Sequence, residues 1–153
     1  MSDRNKRTLE TYNQNVDRYV EGTVQVTSGH QKEWLDSVFM GLPRDAAILE
    51  IGSGFGRDAR YIESKGYVVE MTDASKGFVE YLQSHGHPVE LLDIVNNRPD
   101  EKYDVILACA VFLHFTDADF QQAVRNVRDS LLENGKFAFS VKLGDGDGWS
   151  SKK

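Results

Sequence analysis

Residues 46–73, AAILEIGSGFGRDARYIESKGYVVEMTD, hold in one run a short apolar segment, three alternating glycines, an amphipathic segment, a second apolar segment and a closing carboxylate. The run 46–51 is too short for a helix and is stopped by Gly52, Gly54 and Gly56, which predicts a buried strand feeding a glycine turn. Residues 57–65 follow with helical spacing and close on Gly66, and 67–72 supplies the next strand, ended by Asp73. Glycines at such a turn let the backbone bend sharply and approach a ligand that any Cβ would push away. In a doubly wound sheet ligands sit beyond the carboxyl ends of the strands at the switch point, where this turn and Asp73 meet. The stretch therefore predicts a nucleotide-cofactor site.

Working outward, Leu9, Tyr12, Val16, Tyr19 and Val20 recur at helical spacing, and Trp34, Leu35, Val38 and Phe39 do so in a second helix ending near Gly41. Strands are expected near 46–51, 67–72, 88–92, 103–110 and 136–143, alternating with helices in an α/β domain. Ser75 is placed to cap a helix that Gly86 stops. The crossover 94–102 contains Pro99 and reads as loop. Thr116 with Asp119 resembles a capping box, opening a helix whose stripe is Phe120, Ala123, Val124, Val127 and Leu131. The expected organisation is a single domain over 1–153, with N-terminal helices over 1–41, a core over 46–143 and a flexible tail over 144–153.

Composition narrows the function. A chain of 153 residues buries roughly 68 to 70% of its unfolded surface as one domain. A net charge of −6 with no Lys/Arg cluster beyond the short tail argues against nucleic acid. Cys109 is the sole cysteine, so no disulfide framework exists and a reducing cytoplasm is expected. No apolar stretch has the length of a membrane span, and MSDRNKRTLE at the start lacks a signal-peptide core.

Two cofactor classes use the strand, glycine turn and carboxylate. The dinucleotide fingerprint needs its third glycine where Arg57 stands, which disfavours a nicotinamide oxidoreductase. The order here is Glu50, Gly52, Gly54, Gly56, an ExGxGxG run, and with it the chain resembles the class I S-adenosylmethionine-dependent methyltransferases, particularly small bacterial members acting on metabolites. The resemblance extends from about Tyr12 to Leu143. It takes in LLDI at 91–94, YDVILACAVFLHFTD at 103–117 and LLENGKFAFSVK at 131–142, similar to the ends of the family's third, fourth and fifth strands. It implies a Rossmann-like, mostly parallel sheet in three α/β/α layers with strand order 3-2-1-4-5, the family's strands 6 and 7 being absent from this sequence. It also implies S-adenosyl-L-methionine as cofactor, a small-molecule methyl acceptor and no metal. A second reading keeps cofactor binding without transfer, as in a shortened copy or a partner subunit.

The resemblance assigns roles residue by residue. Gly52, Gly54 and Gly56 approach the cofactor, Asp73 with Ala74 receives the ribose hydroxyls, and Glu50 receives the methionine ammonium. Asp93 and Ile94 match the adenine side, and Ala108 and Cys109, ending the fourth strand, stand where the family presents backbone carbonyl to the methionine part. Tyr12, in ETYNQNVDRY, falls in a segment similar to a lid helix, although its spacing suits core packing equally. His114 matches a histidine facing the acceptor, with a core or capping role as the alternative. Cys109 has no activating partner for nucleophilic chemistry. Asp145 to Gly148 hints at a calcium loop but lacks the later glutamate. Phe137, Phe139 and Val141 alternate on one face of the fifth strand, so a homodimer through that edge is expected.

Overall fold

The structure is a computed structural model that describes residues 1–142. The expected tail 144–153, the acidic repeat Asp145 to Gly148 and the last residue of the expected fifth strand lie outside the described residues. In chain order the elements are α1 (Asp3–Gln14), α2 (Val16–Glu21), α3 (Gly29–Phe39), β1 (Ile48–Ile51), α4 (Arg57–Ser64), β2 (Glu70–Asp73), α5 (Lys76–Ser84) and β3 (Val89–Leu91). There follow β4 (Tyr103–Cys109), a 3₁₀ turn (Phe112–His114), α6 (Asp117–Asp129) and β5 (Leu131–Ser140). Among the described residues no helix is long and apolar enough to cross a membrane.

The five strands are parallel in the order β3-β2-β1-β4-β5. β1 is buried along its whole length, as a central parallel strand covered on both faces must be. Successive residues point to opposite faces. Ile48, Val105 and Leu107 pack with Leu35 and Phe39 of α3, Ala59 and Ile62 of α4, and Val79 and Leu82 of α5. Leu49, Ile51, Ile106 and Ala108 pack on the other side with Ala123 and Val127 of α6. The result is the three-layer α/β/α arrangement. Ser75 caps α5 by accepting from the Phe78 amide, and the Thr116 side chain accepts from the Asp119 amide at the start of α6.

Two strand starts differ from the sequence pattern by three residues or more. β2 begins at Glu70, because Tyr67 uses its hydroxyl to donate to the carbonyls of Phe39 and Leu42 and so anchors the end of α3 before the ladder starts. β5 begins at Leu131, and between Tyr103↔Leu131 and Val105↔Lys136 it spends five residues where β4 spends two. Asn134 takes up the excursion with φ +63, and a Cβ on Gly135 would lie 2.9 Å from the carbonyl oxygens of Leu132 and Tyr103. The crossover 92–102 is loop, tied down where Asn126 of α6 donates to the Ile94 carbonyl at 2.7 Å. β5 pairs with β4 alone among the described strands, and Phe139 is 39% exposed there.

The N-terminal helices lie across the carboxyl end of the sheet. Ser2 donates its amide and hydroxyl to the Asp119 carboxylate, and this draws Asp119 into burial. Asn13 Oδ1 accepts from Ser75 Oγ at 2.7 Å and from the Gly77 amide at 3.1 Å. That contact requires a glycine, since a Cβ at Gly77 would meet Val16 Cγ2 at 2.7 Å and the Asn13 backbone at 3.1 Å. Gly77→Ala is expected to lower stability by about 1 to 3 kcal/mol, the usual cost of overpacking. Amide exchange should quicken over residues 3–21 while the protection of β1 and β4 is kept.

Candidate functional site

β1 ends in a turn that only glycines can make. Gly52 and Gly54 adopt φ +71 and +56, and a Cβ on Gly52 would lie 2.5 Å from Val111 Cγ2. A Cβ on Gly54 would meet nothing within 4 Å, so the turn is open there to an incoming ligand. Asp73, at the end of β2, accepts from the Gly54 amide and from the Ser75 amide, each at 2.8 Å. Burial pushes its carboxyl up and these backbone donors oppose the shift. Each oxygen takes one of these bonds and keeps acceptor capacity for a ligand.

Above this turn lies an open-mouthed cleft enclosing about 710 Å³ of space, open solvent included. Tyr12, Gly52, Gly54, Asp73, Ala74, Asp93, Ile94 and His114 all line it. Glu50 is not in this cleft; it lines an adjoining recess that shares Gly52, Gly54, Cys109 and Ala110. Two expected residues line neither space. The Cβ position of Gly56 is filled by Leu82 Cδ2 at 2.9 Å and Arg60 Nη1 at 3.2 Å, so this glycine serves packing at the start of α4. The Ala108 side chain is fully buried on the α6 side of the sheet, while Cys109, expected beside it, lines the cleft with Ala110 and Val111.

α1 and the turn after β4 meet over the cleft. Tyr12 Oη lies 3.0 Å from His114 Nε2, and the Tyr12 ring also packs against Phe78 and Tyr19. Burial, with Tyr19 and Asp73 nearby, pushes the Tyr12 hydroxyl up to about 12, so it is a donor near neutrality. Burial first, then the charges of Arg4 and Lys142, push His114 below its ordinary value. His114 is thus neutral near pH 7, and its Nε2 shares a hydrogen bond with the Tyr12 hydroxyl whose direction follows the imidazole tautomer. Asp93 spends its carboxylate on the Val95 amide and the Asn96 side chain, shaping the far rim. Ala110, with φ +55, turns the chain away from the cleft floor and donates its amide to the Ser140 carbonyl and Oγ, both at 3.1 Å.

The adjoining recess is polar. Glu50 Oε2 and Ser53 Oγ are buried there without a hydrogen-bond partner. Burial, with Asp58 and Asp73 close by, pushes the Glu50 carboxyl up to about 8. Asp58 accepts from Arg57 Nε at 2.9 Å, Arg57 Nη2 at 3.1 Å, Thr27 Oγ1 at 2.7 Å and Gln31 Nε2 at 3.1 Å. Ligand atoms of Glu50, Asp58 and Cys109 lie within 4.8 Å of one another. The four donors already occupy the acceptor sites of Asp58, so the group is a hydrogen-bonded network rather than a set of vacant metal ligands. Burial raises the Cys109 thiol strongly, which leaves it inert as a nucleophile. Gln31, Asp58, Ala110 and Asn13 carried no sequence signal, because each acquires its place through contacts distant in the chain.

A family model described as "Methyltransferase domain" matches residues 49–137. The fold is similar to DhpI in complex with SAH, with TM-score 0.74 and 21% identity over 88% of this chain and 67% of that one. It is similar to a TehB-like SAM-dependent methyltransferase from Corynebacterium glutamicum, with TM-score 0.67 and 22% identity over 95% and 77% of the two chains. Magnesium protoporphyrin IX methyltransferase from Synechocystis gives TM-score 0.64 and 17% identity over 86% and 73%. The chain thus spans about two thirds of the length of DhpI.

The recess has a pH signature. Glu50 binds its proton more tightly folded than unfolded, so its contribution to stability is full below about pH 4.5 and is lost as pH rises through about 8. The ligand-free protein should lose on the order of a few kcal/mol across that window. Melting curves of Glu50→Gln should be flatter than wild type from pH 5 to 9; parallel curves would place the ionisation elsewhere.

Proposed function

Because the chain belongs to the methyltransferase domain family, whose cofactor is S-adenosyl-L-methionine, we propose that it binds this donor in the cleft and transfers the methyl group to a small-molecule acceptor. The observation that carries the reading is the pairing of Asp73 with the Gly54 amide at a turn whose open side faces the cleft. The residues fit the adenosyl group. Asp73 would take the two ribose hydroxyls with its remaining acceptor capacity, Ala74 would flank them, and Asp93 and Ile94 would border the adenine. When bound, the cofactor supplies a methyl group already activated on a sulfonium.

The work left to the chain is positioning, exclusion of water and proton handling. The aromatic rings of Tyr12, Tyr19 and Phe78 close over the cleft and keep it apolar. Neutral His114 would accept a proton from the acceptor or orient it, with Tyr12 first giving up its bond to Nε2. The net charge of −6 and the modest size of the cleft favour a small acceptor over a nucleic acid.

Asp73→Ala should weaken S-adenosylmethionine binding about 10- to 100-fold, since hydrogen bonds to a charged group are worth about 1.5 to 3 kcal/mol. Titration calorimetry on the folded variant reads this directly, and an unchanged dissociation constant would refute the ribose assignment. With an acceptor found by screening, His114→Gln should slow transfer about 10²- to 10⁴-fold while donor affinity is kept. A lowered melting temperature with unaltered kinetics would make His114 a packing residue.

A further inference from the structure

The outer edge of β5 carries backbone groups that no described strand pairs. The Ser140 carbonyl accepts from the Ala110 amide, so Ser140 turns its backbone groups toward β4, and by the alternation of a strand Ala138 does the same. Phe137 and Phe139 therefore turn their N–H and C=O groups away from β4. Along this edge Leu132, Phe139 and Val141 are 41%, 39% and 50% exposed. An edge with exposed apolar side chains is a template for another strand. Its charges from residue 136 to residue 142 are Lys136 and Lys142, with no acid between them.

Identical edges related by a two-fold axis meet antiparallel, and residues opposite one another must both turn their backbone groups outward or both inward. Centring the pair on Ala138 or on either neighbour satisfies this. Centring on Phe139 sets Lys136 against Lys142 of the other copy on both sides of the axis, and like charges directly opposite destabilise. Centring on Phe137 sets Phe139 against Gly135, within the excursion of the other copy. Centring on Ala138 sets Phe137 against Phe139 and Lys136 against Ser140, and it brings Lys142 beside the excursion that carries Glu133. Only this register matches ring with ring and cation with anion while keeping the two lysines apart. The edge is thus complementary to itself.

We propose that this edge is the interface of a homodimer, in which a second copy of the chain joins antiparallel through β5 with Ala138 on the two-fold axis and one sheet runs across both copies. Phe112, which opens the turn carrying His114, packs edge-on against Phe137 and Phe139 at centroid separations of 5.7 and 5.5 Å. Covering the two strand rings braces that turn. The same strand holds Ala110 at the cleft rim through Ser140, so the interface steadies the cleft whatever ligand it takes.

Light scattering on the 153-residue protein as it leaves a sizing column at micromolar concentration should give a dimer, with the amides of Phe137 and Phe139 protected from exchange. Phe139→Lys should raise the dimer dissociation constant about 10-fold or more. Ala138 and its copy form a pair without mutual hydrogen bonds, with Cα atoms about 4.5 Å apart, within reach of a disulfide. Ala138→Cys should therefore oxidise to a covalent dimer, whereas wild type, whose only thiol is Cys109, should not. A monomeric wild type overturns the proposal, whether the amides of Phe137 and Phe139 exchange freely or are protected by residues of the same chain. A dimer in which Ala138→Cys forms no cross-link is joined in another way and overturns it too. Where Phe139→Lys fails to fold, the cross-link and the exchange pattern of wild type decide the matter.

Discussion

The site depends on a buried carboxylate that makes no ion pair among the described residues. Asp73 is satisfied by two backbone amides, Gly54 from the turn after β1 and Ser75 from the cap of α5. These bonds hold the ends of two neighbouring strands at one height and set the geometry of the cleft floor between them. Ser53 adds a third tie by donating its amide to the Thr72 carbonyl. A carboxylate served by amides rather than by a lysine or arginine keeps acceptor capacity and negative charge available to a ligand.

Much of this was legible because the relevant residues are local in sequence. The turn at 52–56 and Asp73 belong to one strand–helix–strand unit, and parallel pairing of its strands brings them together without further information. The caps at Ser75 and Thr116 were readable for the same reason. Gly56 shows what the pattern leaves open. Alternating glycines do not say which of them faces the ligand and which faces a helix, and only the contact with Leu82 decides that for Gly56. At the end of β4 the pleat turns the Ala108 side chain into the α6 side and leaves Cys109 and Ala110 at the rim, so the backbone expected of Ala108 and Cys109 is presented there by two residues of opposite facing. Asn13, Gln31 and Asp58 were beyond reach, because their partners lie 27 to 78 residues away.

Arg57 stands where a dinucleotide-binding turn would carry its third glycine. The substitution that separates the two cofactor classes in sequence also places a guanidinium at the edge of the recess. Glycine at that point would let a helix approach a pyrophosphate closely. Arginine fills the space and brings Asp58, Thr27 and Gln31 into a network around itself. The lid contributes differently, through rings rather than charges. Tyr12, Tyr19, Phe55 and Phe78 form a connected set of edge and tilted contacts between α1, α2, the glycine turn and α5. Rings in such arrangements gain about 0.5 to 1.5 kcal/mol per pair beyond burial. They can part and reclose without leaving a buried charge unpaired.

The excursion at the start of β5 separates two lengths that would otherwise be coupled. α6 must end where its apolar stripe leaves the sheet, while β5 must place Phe139 opposite Ala108 and Ser140 opposite Cys109 at the cleft. The looped residues around Asn134 and Gly135 absorb the mismatch. Insertions or deletions confined to that loop would leave the register beyond Lys136 untouched, since the strand re-enters the ladder there. In evolutionary terms the loop is a length buffer, so descendants of this fold can lengthen or trim α6 while the amide of Ala110 still finds Ser140.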